Sequence, residues 1–252
     1  FEELKIEDIG FQKTNLAFEI PEADLHIIKT YEETRNFPAV KGTTQLGVHL
    51  RFGTISVRKL AKIAKENNLT FLKELIWREF FMQILYHFPK VVNHSFKSKY
   101  DAIPWENNPE FLEKWKAGKT GFPIVDAGMR ELNATGFMHN RVRMITASFL
   151  IKHLLTDWRI GEAYFAEKLM DYDLSANNGN WQWCASSGCD AAPYFRIFNP
   201  DEQQKKFDPD FKYIKKWIPE FGTKYYPKPI VEHKKAREKV LKVYKEALDN
   251  LD

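Results

Sequence analysis

From residue 40 onward the chain is a succession of apolar blocks at helical spacing, opened by capping side chains or prolines and closed by glycine or proline. No Val/Ile-rich alternating run is long enough to seed a sheet. Ser56 should cap a helix over 57–65, and Thr70 should open one over 71–88 that Pro89 stops. Pro109 and Pro123 fit the first turns of two more, ending near Gly118 and Gly136. Further helices are expected over 139–155, 161–170, 208–217 and 231–251. Short turns join these blocks, so we expect one all-α domain.

Residues 171–200 do not fit this pattern. Asn177-Asn-Gly179 favours a turn, because Asn and Gly tolerate positive φ, and Trp181 and Trp183 follow at once. A loop with fixed donors and acceptors beside flat rings suits a planar ligand; a buried loop whose amides satisfy stray backbone groups would look the same.

Charge narrows the classes of partner. The 252 residues carry 38 basic and 34 acidic side chains, net +4, which permits a polyanionic partner through a local patch rather than a global field. Aromatic content of 15% exceeds what a core of this size demands and invites a ligand that stacks. Cys184 and Cys189 are too few for a disulfide framework and lack metal-site companions. Seven scattered histidines form no ligand pair, so no metal site is expected. No apolar run reaches the roughly 18 residues of a membrane span. We expect a cytoplasmic protein with no membrane partner.

Several motifs admit two readings. Gly42-Thr-Thr-Gln-Leu-Gly47 before a short helix could hold a pyrophosphate on free N–H groups, or simply cap the helix; it is not a Walker loop. Glu74, Trp77, Arg78 and Phe81 share a helix face that is either a salt-bridged strip or a cavity lining. Asn140, Arg143, Met144 and Ala147 share another, with Arg141 turned about 100° away. An arginine opposite Asp171 or Asp173 would form a rigid bidentate pair. Ser186-Ser-Gly188 lacks the glycine of a nucleophile elbow. Five lysines between 205 and 216 suit a solvated face or, with Arg196 and Gln203, a phosphate-tracking edge.

Taken in order, Arg35-Asn-Phe-Pro-Ala39, Gly42–Gly47, Leu50-Arg-Phe-Gly53, Glu74-Leu-Ile-Trp-Arg-Glu-Phe80, Trp115-Lys-Ala-Gly-Lys-Thr-Gly-Phe-Pro-Ile-Val-Asp126, Met138-His-Asn-Arg-Val-Arg-Met144 and residues 171–200 carry a resemblance. The chain resembles the C-terminal FAD-binding domain of the photolyase/cryptochrome family, nearest to class I cyclobutane pyrimidine dimer photolyases. The resemblance implies a multi-helical domain over 25–252, with 1–24 a remnant of the interdomain linker. The family's N-terminal α/β antenna domain is absent from the sequence, so we expect a fragment that binds no antenna chromophore.

The resemblance also assigns roles. Tyr31, Thr43, Thr44, Gln45, Leu46 and Gly47 match the segment around the FAD phosphates, and Arg78 and Asn140 match further cofactor contacts. Arg143 matches the base paired with Asp171 beside the isoalloxazine, and Asp173 the residue at its polar edge. Asn177 matches the residue facing flavin N5. Glu74 matches the carboxylate that bonds the dimer bases. Trp77, Trp183 and Met144 match walls of the substrate pocket, with Arg35, Arg78, Asn140, Arg141, Arg196 and Gln203 toward DNA. Trp181, Trp158 and Trp105 match an electron-transfer chain, which with Glu74 and Asn177 makes up the expected catalytic set. Three departures stand out: Gln45 where the family often has Arg, Gly47 where it often has Ser, and Phe137 where some relatives have Trp.

What this implies is light-dependent repair of cyclobutane pyrimidine dimers by electron transfer from excited, reduced FAD, by a monomer acting on duplex DNA and nucleoid-associated if bacterial. Relatives that repair the 6-4 photoproduct use a His pair near the segment held here by Arg143-Met144. The single-strand-preferring DASH branch usually lacks the indole at Trp183. The alternative is a cryptochrome-like photoreceptor that signals through a protein partner.

Overall fold

The computed structural model describes residues 5–12, 15 and 21–249. Among them there is no strand, and thirteen α-helices follow one another. In order they are α1 (Leu25–Lys29), α2 (Tyr31–Thr34), α3 (Gly47–Phe52), α4 (Val57–Asn67), α5 (Leu69–His87), α6 (Pro109–Lys116), α7 (Pro123–Thr135), α8 (Asn140–Lys152), α9 (Trp158–Lys168), α10 (Leu174–Ala185), α11 (Pro200–Phe207), α12 (Lys212–Trp217) and α13 (His233–Asp249). No helix is long and apolar enough to cross a membrane among the described residues.

Local chemistry accounts for most of the boundaries. Ser56 accepts from the Lys59 amide and opens α4 as expected, and Pro109 and Pro123 sit in the first turns of α6 and α7. Gly136 closes α7 in the left-handed region at φ 67°. Other boundaries move. Asn68, not Thr70, opens α5, because its side chain accepts from the Phe71 amide. The helix expected from 161 starts at Trp158, since Asp157 caps it by accepting from Arg159. Asp208 lies outside α12 and instead accepts from the Tyr213 and Ile214 amides. Residue 251, the expected end of the last helix, lies outside the described residues, as do parts of 1–24.

The largest correction concerns 171–200, which is no loop over its first half. Asp173 caps α10 by accepting from the Ala176 amide at 3.1 Å, and Asn177 to Gly179 are helical. Gly179 serves packing rather than a turn: a Cβ there would lie 2.2 Å from the Phe81 ring, so only glycine lets α10 approach α5 this closely. Asn199 opens α11, which sequence periodicity also missed.

Three apolar clusters form among the described residues: a small one of Ile103, Leu155, Val240 and Tyr244, and two that build the site. The larger joins α6 to α10 and α12 around Trp115, Phe149, Trp158, Phe165 and Trp181. The smaller joins α1, α3, α4 and α5 around Ile28, Leu46, Leu60 and Phe71. Helix α10 packs against α5, α8 and α9, and so stands where the two halves meet.

Candidate functional site

Two adjoining cavities open beside α10. The inner one, about 190 Å³, is walled by Arg143, Met144 and Ala147 of α8, Phe165 of α9, and Asn177, Trp181 and Cys184 of α10. The outer one, about 300 Å³, is bounded by Arg35 and by Glu74, Trp77, Arg78 and Phe81 of α5. Asn140, Met144, Ala176, Asn180 and Trp183 line both. The helical spacings that define single faces in the sequence therefore become the walls of two connected spaces.

The inner cavity has a built polar end. Arg143 holds Asp171 through Nη2 to Oδ2 at 2.9 Å, while its Nε donates to the Met138 carbonyl at 2.7 Å. Asp171 Oδ1 is buried with no protein partner. A buried carboxylate oxygen without a donor is costly, so the cavity fits a ligand that brings an N–H or O–H to that point. Asp173 lines the same space and accepts from Ser175 and the Ala176 amide. Asn177 donates through Nδ2 to Glu162 Oε1 at 2.9 Å and to the Glu162 carbonyl at 3.1 Å. The start of α3 closes in from outside: a Cβ on Gly47 would lie 2.8 Å from Asp171 Oδ2. Because Arg143 pins that carboxylate, a larger residue at 47 would have to displace an ion pair.

The outer cavity is charged and exposed. Arg35 Nη1 meets Glu74 Oε1 at 2.5 Å. Trp77 is 42% exposed, its ring edge-on to Phe80 at 5.3 Å. Arg78 donates to the Leu50 carbonyl and thereby ties α5 to α3. Arg141 is held by Asn36 Oδ1 at 2.7 Å and lies 4.6 Å over the Phe207 ring. Burial, then the nearby charges of Arg35 and Arg196, push its pKa below the ordinary arginine value. Arg35, Arg141 and Arg196 thus lie close enough for their charges to act on one another, a local field that attracts phosphate, although Arg141 and Arg196 line neither cavity.

The family model described as the FAD binding domain of DNA photolyase matches residues 71–224, more than half of the chain. The chain belongs to this family. Deoxyribodipyrimidine photo-lyase of Escherichia coli K12 is 48% identical over 246 residues, covering 86% of this chain and 52% of the relative. The same-named protein of Halobacterium salinarum is 42% identical over 253 residues, covering 87% and 53%. A crystal structure of a class III photolyase from Agrobacterium tumefaciens matches with a TM-score of 0.83 at 42% identity, covering 88% of this chain and 53% of that one. A Synechocystis cryptochrome matches with a TM-score of 0.79 at 31% identity, covering 86% and 52%. The chain spans about half the length of the curated relatives it matches.

Within this photolyase domain, the expected residues separate into groups. Arg143, Asp171, Asp173, Asn177 and Trp181 meet around the inner cavity, and Arg35, Glu74, Trp77 and Arg78 around the outer one, with Asn140, Met144 and Trp183 between. Thr43, Thr44 and Gln45 line neither cavity; Gln45 adopts a left-handed φ of 53° and is exposed. Leu46 is buried in the smaller core, and Tyr31 packs edge-on to Phe71 at 5.1 Å. Burial, and then Glu74, push the Tyr31 phenol up to about 12. Gln203 lines neither cavity.

The three expected electron-chain indoles differ in setting. Trp181 and Trp158 are buried, and Trp105 is half-buried against Tyr244 at 6.1 Å. Trp181 lies over Gly161, one turn beyond Trp158 on α9. Its ring contacts are Phe165 at 5.0 Å and Trp115 at 6.3 Å. Sequence reasoning gave Trp115 no role; the ring is fully buried and donates to the Thr146 carbonyl. It also missed Ala176 and Asn180, whose i, i+4 spacing would have revealed them had 171–200 been read as helix.

Proposed function

We propose that this domain holds FAD in the inner cavity and a flipped cyclobutane pyrimidine dimer in the outer one, and that it repairs the dimer in DNA under light. The observation that carries this reading is the shared wall of Asn140, Met144, Ala176, Asn180 and Trp183, which sets the two spaces edge to edge. Bound FAD would supply light-driven electron transfer, and the protein supplies position and field.

Each part then has a task. Asp171, fixed by Arg143, offers its free Oδ1 to a ring N–H, and Asp173 lies beside it at the cavity's polar end. Met144 and Trp183 separate the cofactor space from the substrate space while keeping them in contact. Trp77 and Trp183 offer apolar walls to a lesion that has lost normal stacking and so costs less to flip. Glu74, drawn by Arg35 into the cavity lining, hydrogen-bonds the bases and counters charge that develops on them. Arg141, Arg196 and Arg35 hold the flanking phosphates, and salt should weaken that part of binding. Trp181, Trp158 and Trp105 lead from the buried wall toward the half-exposed surface and form the route by which the cofactor is reduced.

The decisive experiment illuminates the FAD-loaded chain with duplex DNA carrying a single cyclobutane dimer. Restored thymines, depressed at least tenfold in Glu74→Ala with FAD content unchanged, are the expected result. No repair by a flavin-loaded chain sinks the proposal. The similarity to a cryptochrome supports a second reading, a light sensor, which would leave the dimer intact while light still changes the flavin absorbance.

A further inference from the structure

Arg35 and Arg141 lie close enough for their charges to act on one another, yet they are held in opposite ways. Arg35 is paired with the Glu74 carboxylate. Arg141 has no carboxylate partner among the described residues and is fixed by neutral groups instead. Asn36, in the turn after α2, accepts through Oδ1 from Arg141 Nη2 at 2.7 Å and from Nε at 3.2 Å. Met144 Sδ accepts from Nη1 at 3.6 Å. The buried Phe207 ring lies 4.6 Å from the guanidinium carbon and supports its flat face. A guanidinium only donates, so the Asn36 amide has one satisfactory orientation, oxygen toward α8.

Some donors are left over. Of the five N–H groups of a guanidinium, Asn36 takes two and Met144 one. One N–H remains on each terminal nitrogen, the pair that can grip two oxygens of a phosphate. Arg141 lines neither cavity, so this pair is not spent on cofactor or lesion. Its charge is crowded by Arg35 and Arg196, so an incoming anion relieves repulsion as well as adding bonds.

We propose that Asn36 is a positioning residue that fixes the Arg141 guanidinium without neutralising it, so that Arg141 meets a DNA phosphate with a preset two-point grip and its full charge. This rests on the DNA reading above. A carboxylate at position 36 would hold the same two N–H groups more tightly, but the ion pair would cancel the charge that attracts the phosphate. A neutral carbonyl gives order without cancellation. The freedom of a long side chain is then lost on folding rather than on binding, which leaves more of the phosphate contact as affinity. Asn36 itself lines neither cavity; its effect passes through Arg141.

The test titrates the FAD-loaded chain with duplex DNA carrying one cyclobutane dimer, across a salt series. Asn36→Asp should weaken binding about tenfold at low salt. Its slope of log affinity against log salt should be shallower by about 0.9, the share of one phosphate contact, so that it converges on the wild type as salt rises. Asn36→Ala should weaken binding about fivefold, the ordering cost of one long side chain, with the slope unchanged. The same Asn36→Ala change should cost nothing in an Arg141→Gln background, where no guanidinium is left to position. A wild-type slope in Asn36→Asp, or an equal loss from Asn36→Ala with and without Arg141, overturns the positioning role while the DNA reading stands. A flavin-loaded wild-type chain that does not bind this DNA overturns both.

Discussion

Trp181 and Trp183 are two residues apart on one helix and lead opposite lives. About 200° of helical rotation separates them. One is 2% exposed, belongs to the main core and lines only the inner of the two cavities; the other is half-buried, against Phe198, and reaches the outer cavity as well. The same contrast holds between the two regions they face. The inner cavity is carved from the largest apolar cluster, so its lining cannot change without a cost in folding. The outer cavity is laid on an exposed face of α5, where Trp77 remains 42% open to solvent. Cofactor binding should therefore stabilise the fold by mass action, whereas residues of the outer cavity can vary at little cost to it.

The largest expected effect lies on the inner side. Trp115→Ala removes a fully buried ring that supports Trp181 and should cost about 4 kcal/mol in urea unfolding. A loss under about 1 kcal/mol would mean the inner wall is not core at all. Acid should produce the next largest change. Burial, then Arg143 and Arg141, lower His139 from the usual 6.5 to about 4. The unfolded chain takes up that proton near 6.5 and the folded chain only near 4, so stability is full above the first value and falls between them. The loss at pH 4 should be about 3 kcal/mol, read from urea midpoints along a pH series. His153, lowered to about 3 by burial, deepens the same fall.

Asp171→Ala separates the two regions more sharply. It strands Arg143 and should cost about 2 kcal/mol, with FAD retention lost as well. Normal FAD retention in that variant would remove Asp171 from the cofactor's polar end. Trp77→Ala should change stability by less than about 0.5 kcal/mol. It should still weaken dimer-containing DNA about tenfold in a binding titration, since exposed aromatics of this kind anchor interfaces. A large unfolding effect from Trp77→Ala would erase the distinction between core-built and surface-built cavities.

Much of this arrangement could be read before any coordinates. Caps and helix-starting prolines placed α4, α6 and α7, and the i, i+3, i+4, i+7 spacing put Glu74, Trp77, Arg78 and Phe81 on one face. The misreadings have physical reasons. Asn177-Asn-Gly179 carries local turn propensity, and only packing against Phe81 makes that glycine favourable inside a helix. Thr43, Thr44 and Gln45 have hydroxyls and an amide suited to a phosphate, but their positions relative to the cavities depend on how α3 meets Asp171.

The sequence by itself determined the helical class and the helix faces, which follow from short-range chemistry: a cap, a proline, a periodicity. The residues expected around a flavin and a lesion came from the family resemblance. Only the tertiary structure decided that Arg143 reaches Asp171 across 28 positions, that Asp171 Oδ1 stays unpaired, and that Asn177 turns its amide toward Glu162. Those facts depend on how α8, α9 and α10 pack, and interhelical distance is set by side chains far apart in the chain, which no local pattern encodes.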